Sequence, residues 1–155
     1  VSICTIHAGD ASNVIPDRVE ISGTIRFMEE SVREKIHLEI KNALQVARSL
    51  GGDVELEIEL GYPPMHNDPG MVALIQEVAA GMLGAKQVQV PPKEMGSEDF
   101  GFFCEQAPGA MFYLGALMEG GERYHHSPTF DIDERCLPIG TALLAQIALS
   151  FLEKN

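Results

Sequence analysis

Residues 122–134 read ERYHHSPTFDIDE, so His125 and His126 stand side by side ahead of Ser-Pro, with Asp131, Asp133 and Glu134 close behind. Neutral imidazole is the commonest protein metal ligand, and a neighbouring carboxylate often orients it. The residue types therefore point to a divalent metal. The number of donors does not, because a catalytic site takes at least three from the protein. Two adjacent side chains rarely reach one ion, so at most one of the pair is a ligand. A solvated loop leading into a helix accounts for the same residues. Asp133, just ahead of the last apolar stretch, suits a helix N-cap better than a ligand. His7, His37 and His66 fall in a strand pattern, a helix pattern and a connection, and read as structural or exposed.

A second polar cluster, MGSEDF at 95–100, admits two readings. Ser97 is placed to cap a short helix, with Glu98 and Asp99 in its first turn, where the helix dipole favours acids. Gly96 beside them lets a backbone approach closely, which keeps a pocket wall open as the alternative. A third constellation is Asn13 with Arg26. A guanidinium fork matches a carboxylate through two parallel hydrogen bonds, and an asparagine can add a directed third. An arginine on the polar face of a strand explains Arg26 equally well. No lysine-bearing phosphate loop and no GxSxG elbow is present.

The elements that must position these groups follow from periodicity. VSICTIHA at 1–8 reads as a strand. In 18–28, Val19, Ile21, Ile25 and Phe27 alternate with Glu20, Ser22, Thr24 and Arg26, a second strand with Gly23 on its inward side. From Glu30 to Leu50, Val32, Ile36, Ile40, Leu44 and Ala47 recur every three or four residues and predict a helix, which Gly51 and Gly52 stop. Residues 53–62 alternate Val54, Leu56, Ile58 and Leu60 with Glu55, Glu57 and Glu59, the clearest strand pattern in the chain. PPMHNDPG at 63–70 breaks the pattern and separates two modules, 1–64 and 65–155. Asp68 then caps a helix with Pro69 at its first position, running to about Leu83. KQVQV and AMFYLGAL read as further strands, and a last amphipathic helix covers about Glu134 to Glu153.

Composition narrows the function classes. With 155 residues and 45% hydrophobic content the chain can bury a core. A net charge of −12 argues against nucleic acid and anionic membranes as partners. No apolar run is expected to span a bilayer, and no signal-peptide pattern opens the chain. Cys4, Cys104 and Cys136 are odd in number and far apart, forming neither a zinc knuckle nor a disulfide framework. Reduced thiols and a cytoplasmic setting are the expectation.

Taken together, AGDASNVIPDRVEISGTIR, MGSEDF and YHHSPTFDIDE are similar, in order and surroundings, to segments of the M20 metallopeptidase family. The chain most resembles the amidohydrolase branch, whose members hydrolyse N-acyl and indole-acetyl amino acids. The resemblance spans nearly the whole chain. It implies an α/β architecture: an incomplete ferredoxin-like β-β-α-β lid and dimerisation domain over 1–64, then the C-terminal part of a zinc-peptidase-like α/β catalytic domain over 65–155. It further implies that Asn13 and Arg26 bind a substrate carboxylate, that Glu98 and Asp99 lie on the pocket side, and that His126 is one metal ligand. The family's two metals, zinc or manganese, need further donors from a cysteine and histidine pair, a glutamate pair and another histidine. Those precede the lid, as does the general base, and nothing in this chain matches them. The expectation is therefore the last part of an amidohydrolase acting on small N-acylated amino acids or dipeptide-like substrates, a homodimer through its lid, inactive as this chain alone. The lid's missing strand is expected between the second and third strands here. The alternative is a non-catalytic dimerisation, regulatory or carboxylate-binding module.

Overall fold

The computed structural model describes residues 1–121 and 123–154; Glu122, which opens the histidine-bearing stretch, and Asn155 lie outside them. The chain forms two compact units, Val1–Met65 with Glu94–Asp99, and His66–Lys93 with Phe100–Asn155.

In the first unit, β1 (Ser2–Ala8) and β2 (Val19–Thr24) pair antiparallel. The register sets Ile6 opposite Ile21, Ala8 opposite Val19 and Ile3 opposite Gly23. Residues directly opposite share a face, so these six make the apolar side and Ser2, Thr5, His7, Glu20, Ser22 and Thr24 the polar one. Ile3 and Ile6 are an odd number of residues apart, which strict alternation sends to opposite faces. An irregularity between Ile3 and Thr5 inserts Cys4 and restores the match. A Cβ on Gly23 would lie 2.1 Å from the Ser2 carbonyl oxygen, so the strands approach as they do because position 23 has no side chain. Across the polar face the Thr5 and Ser22 hydroxyls are 2.6 Å apart. The second strand ends at Thr24, earlier than its alternation suggests, and Arg26 follows it.

Helix α1 (Glu30–Ser49) matches the periodicity. It ends in a Schellman arrangement, with Gly51 N–H on the Arg48 carbonyl and Gly52 N–H on the Ala47 carbonyl. Gly51 takes φ +88°, the left-handed turn that closes the helix. The expected strand at 54–60 is a correction: its backbone joins no ladder among the described residues. Alternation marks which side chains are to be buried, whereas a strand also requires a neighbouring backbone. None is paired to it here.

In the second unit, α2 (Pro69–Leu83) begins as its sequence predicts, with the Asp68 carboxylate accepting the Met71 N–H at 2.9 Å and Pro69 in the first turn. Leu74 and Val78 of α2 meet Leu143 and Ile147 of α4 (Cys136–Lys154), each pair one helical turn apart. Met71, Ile75, Ala79, Phe112 and Leu114 pack around them. Gly140 of α4 lies under Leu114, whose Cδ2 is 2.8 Å from where a Cβ would be. Residues 110–117 form no ladder, another correction. Instead the Asn67 side chain clasps Met111 on both sides, donating from Nδ2 to its carbonyl at 3.0 Å and accepting its N–H at 2.8 Å. An amide side chain thus does what a strand partner would do. KQVQV opens as a 3-10 turn, Ala85–Gln87, and the short α3 (Gly101–Cys104) follows MGSEDF.

The 19-residue α4 is long and apolar enough to cross a membrane by length and composition, which corrects the expectation that no stretch is. Leu143 and Ile147 on one side are packed against α2, as in a core helix.

Burial is sparse. No described residue of the first unit is buried, and the apolar face of its hairpin meets water, with Ile6 63% and Ile21 55% exposed. The surface totals 12684 Å². A compact monomer of this mass exposes about 7,700 Å², and two compact bodies sharing it about 9,300 Å². Apolar faces that fold into pattern are therefore left uncovered.

Leu143, 3% exposed, anchors the one hydrophobic cluster among the described residues. Leu143→Ala is expected to lower stability by about 2–5 kcal/mol, whereas Leu144→Ala next to it, 60% exposed, should change it by no more than about 0.5 kcal/mol. Urea unfolding followed by circular dichroism distinguishes the two.

Candidate functional site

The sequence-selected residues fall into two groups, one in each unit. In the first unit, Asn13 lies in a turn at 11–14, closed by a long 3.4 Å bond from Val14 N–H to the Ala11 carbonyl. Gly9 starts this connection at φ +58°, with Pro16 packed over it. Arg26 is exposed just past β2, and its Nη1 donates to the Met95 carbonyl oxygen at 2.5 Å. That bond ties the 94–99 segment to the hairpin, although the two are far apart in sequence. No hydrogen bond joins Asn13 to Arg26 among the described residues.

MGSEDF does not cap α3 as expected. Phe100 occupies the N-cap position without a side-chain bond, so Ser97, Glu98 and Asp99 precede the helix and its first turn holds no acid. Glu98 folds back locally, its Oε1 accepting the Asp99 N–H at 3.0 Å. Both carboxylates are solvent-facing.

In the second unit, His126 has φ +60°, the one non-glycine residue in the left-handed region among those described. Such a backbone is uncommon for a residue with a Cβ and persists only where its surroundings hold it. The surroundings are a short folded loop. Ser127 Oγ accepts the Thr129 N–H at 3.2 Å, and the Ser127 carbonyl accepts the Phe130 N–H at 3.0 Å. The His125 ring stacks on Phe130, with centroids 5.0 Å apart and planes 28° from parallel. The two histidines therefore divide: one ring packs, and the other sits on a constrained backbone.

Asp131 accepts the N–H of Ile132 at 2.9 Å. Asp133 is engaged by Arg135, whose Nε lies 2.9 Å from both carboxylate oxygens, whose Nη2 is 2.5 Å from Oδ2, and whose backbone N–H also donates at 3.0 Å. This is a helix-entry arrangement rather than a ligand's. The Arg135 side-chain hydrogen bond holds the Asp133 carboxyl below the usual carboxylate range, helped by the backbone N–H, and the same bond raises Arg135. Glu119 lies at 3.5 Å from Arg135, too long to add much.

Among the described residues no group of three His, Cys, Asp or Glu side chains converges. One constrained imidazole does not make a metal centre, so the donor set present here does not fit a dinuclear site by itself. Missed by residue-type reasoning were the Met95 carbonyl on Arg26 and the Asn67 clasp. Every residue owns a carbonyl, so the first leaves no mark in sequence; the Asn-Asp-Pro run at 67–69 marks a cap but not the clasp.

Comparison with known proteins adds what the geometry lacks. The sequence model of peptidase family M20/M25/M40 matches residues 4–150. The chain belongs to this family. Among family members, a putative amidohydrolase, YhaA, from Bacillus subtilis is 32% identical over 154 residues, covering 97% of this chain and 39% of that protein. An N-acetylcysteine deacetylase from the same organism is 31% identical over 154 residues, covering 99% and 39%. The crystal structure of Bacillus subtilis YXEP, described as a dinuclear metal binding peptidase of the M20 family, superposes with a TM-score of 0.84 at 28% identity, covering 99% of this chain and 42% of that one. The mixed α/β fold is thus of the M20 type, and the chain spans 39% of the length of these two curated relatives.

A carboxylate whose folded-state pKa is depressed stabilises the fold above its unfolded pKa, and that contribution is lost as pH falls through the folded value. The carboxyl ¹³C resonance of Asp133 is expected to titrate below the ordinary aspartate range. Arg135→Gln should raise it toward that range, the backbone N–H of residue 135 remaining in place; an unmoved midpoint would show that the pair does not form in solution.

Proposed function

We propose that this chain is a portion of a metal-dependent amidohydrolase that cleaves the amide bond of small N-acylated amino acids or dipeptide-like substrates. The observation that carries the reading is His126, an imidazole on a left-handed backbone, within an HSPTF segment of a chain whose family match runs from 4 to 150. In this reading His126 is one metal ligand, Asn13 and Arg26 hold the substrate carboxylate, and Glu98 and Asp99 line the pocket side. The metals are zinc or manganese: imidazole suits zinc, and carboxylate-rich sites accept manganese. The remaining ligands and the general base come from outside these 155 residues. Residues 1–64 serve as lid and dimer contact, residues 65–155 as catalytic domain, and a reducing cytoplasmic setting suits three free thiols. Alone, this chain is inactive, because a single imidazole does not retain a catalytic metal pair.

A second reading, a non-catalytic dimerisation or carboxylate-binding module, draws support from the uncovered apolar face of the β1–β2 hairpin. The two are separated by hydrolysis of N-acetyl amino acids with added zinc or manganese. The amidohydrolase reading expects turnover from a protein that also carries the missing ligands, and none from the 155-residue chain. In the active protein Arg26→Ala should lower kcat/KM by about 10–100-fold for substrates with a free carboxylate, the weight of hydrogen bonds to a charged group, and far less for the matching carboxamides. His126→Ala should lower bound metal measured by elemental analysis. Turnover by the short chain excludes the reading that it is an inactive portion whose remaining ligands lie elsewhere.

A further inference from the structure

Arg26 carries a charge that the described residues leave unmatched. The chain holds 23 acidic residues against 11 lysines and arginines, and the 94–99 segment that touches Arg26 contains Glu94, Glu98 and Asp99. Among the described residues Arg26 nevertheless makes no ion pair. Its one hydrogen bond goes to a neutral main-chain acceptor, the Met95 carbonyl, at 2.5 Å across 69 residues of sequence. Of the acids in the same segment, Glu98 accepts the Asp99 N–H.

A guanidinium presents five N–H donors in a rigid plane. Anchoring Nη1 on a carbonyl fixes that plane and leaves the Nε–Nη2 edge, whose two parallel donors match the two oxygens of a carboxylate. An arginine already ordered by one bond loses less rotamer freedom when it binds a second partner. A carbonyl orients the group without neutralising it, which a carboxylate in its place would do.

We propose that the 94–99 segment is a strut for the carboxylate-binding arginine, with Met95 as a positioning residue that acts through its main-chain carbonyl. The inference rests on the reading of Arg26 as the group that receives the substrate carboxylate. It adds that carboxylate recognition depends on the conformation of the 94–99 segment, and that the segment and the arginine order one another.

Two measurements on the 155-residue chain test the two parts separately. In ¹⁵N relaxation, Arg26→Ala should lower the order parameters of the amides at 96–99 from near the rigid value of about 0.85 to below about 0.6, with α1 and α4 unchanged. Gly96→Ala serves as control, because a Cβ there meets nothing within 4 Å. Unchanged order parameters in Arg26→Ala overturn the strut. In the second measurement the Arg26 Nε–H resonance is titrated with N-acetylglycine. Replacing Gly96 by glycolic acid turns the Met95 carbonyl into a weaker ester acceptor, and the midpoint should move to higher ligand concentration by about threefold or more. An unmoved midpoint overturns the positioning role. If wild-type chain shows no response to N-acetylglycine while the relaxation effect stands, the strut is upheld and the carboxylate reading of Arg26 fails.

Discussion

The contact of Leu74 and Val78 with Leu143 and Ile147 is where described hydrophobic side chains leave water together. What holds the second unit in place leans on it. Asp68 starts α2 on one side, and Gly140 lets Leu114 down onto α4 on the other. The 110–117 segment lies over the pair because Asn67, one residue before the α2 cap, grips Met111 by both its peptide groups. A polar clasp and an apolar seam thus fix the same stretch from two directions, and Asp133 N–H on the Ala116 carbonyl extends the hold toward the histidine loop. Removing hydrophobic surface from water supplies the drive, and the hydrogen bonds select the arrangement.

The first unit has no equivalent seam. Its hairpin and its helix are each well formed by local rules, yet the apolar side of the hairpin and much of the α1 stripe stay partly wet. This explains which elements could be read from sequence. Helices satisfy their own backbones, so α1 and α2 follow from periodicity, from Asp68 and Pro69 at one start and from two glycines at one end. The β1–β2 hairpin follows too, because both partners are near in sequence. Residues 54–60 and 110–117 carry the right alternation, but a ladder is a property of two segments and cannot be written in one.

The candidate site divides along the same line. Residue types are local, so His126, Arg26 and Asn13 stand out in sequence, and with MGSEDF they carry the family likeness over nearly the whole chain. Geometry is not local. Nothing in the order of residues announces that Asp133, rather than the adjacent Glu134, binds Arg135 at the mouth of α4, that His125 turns its ring onto Phe130, or that a carbonyl 69 residues away meets Arg26. Ser97 shows the opposite failure: a good capping residue in a good place, passed over because α3 begins at Gly101 and leaves it outside.

The inserted Cys4 and the bare Gly23 have a meaning beyond the hairpin they sit in. With the extra residue, Ile3 and Ile6 agree on a face; without it, one of them would turn outward. With Gly23, the Ser2 carbonyl comes closer than any side chain would permit. Sliding either strand by one position would break both conditions at once. The hairpin's alignment is therefore set by its own two strands. Any strand that paired with this edge would meet a spacing already decided.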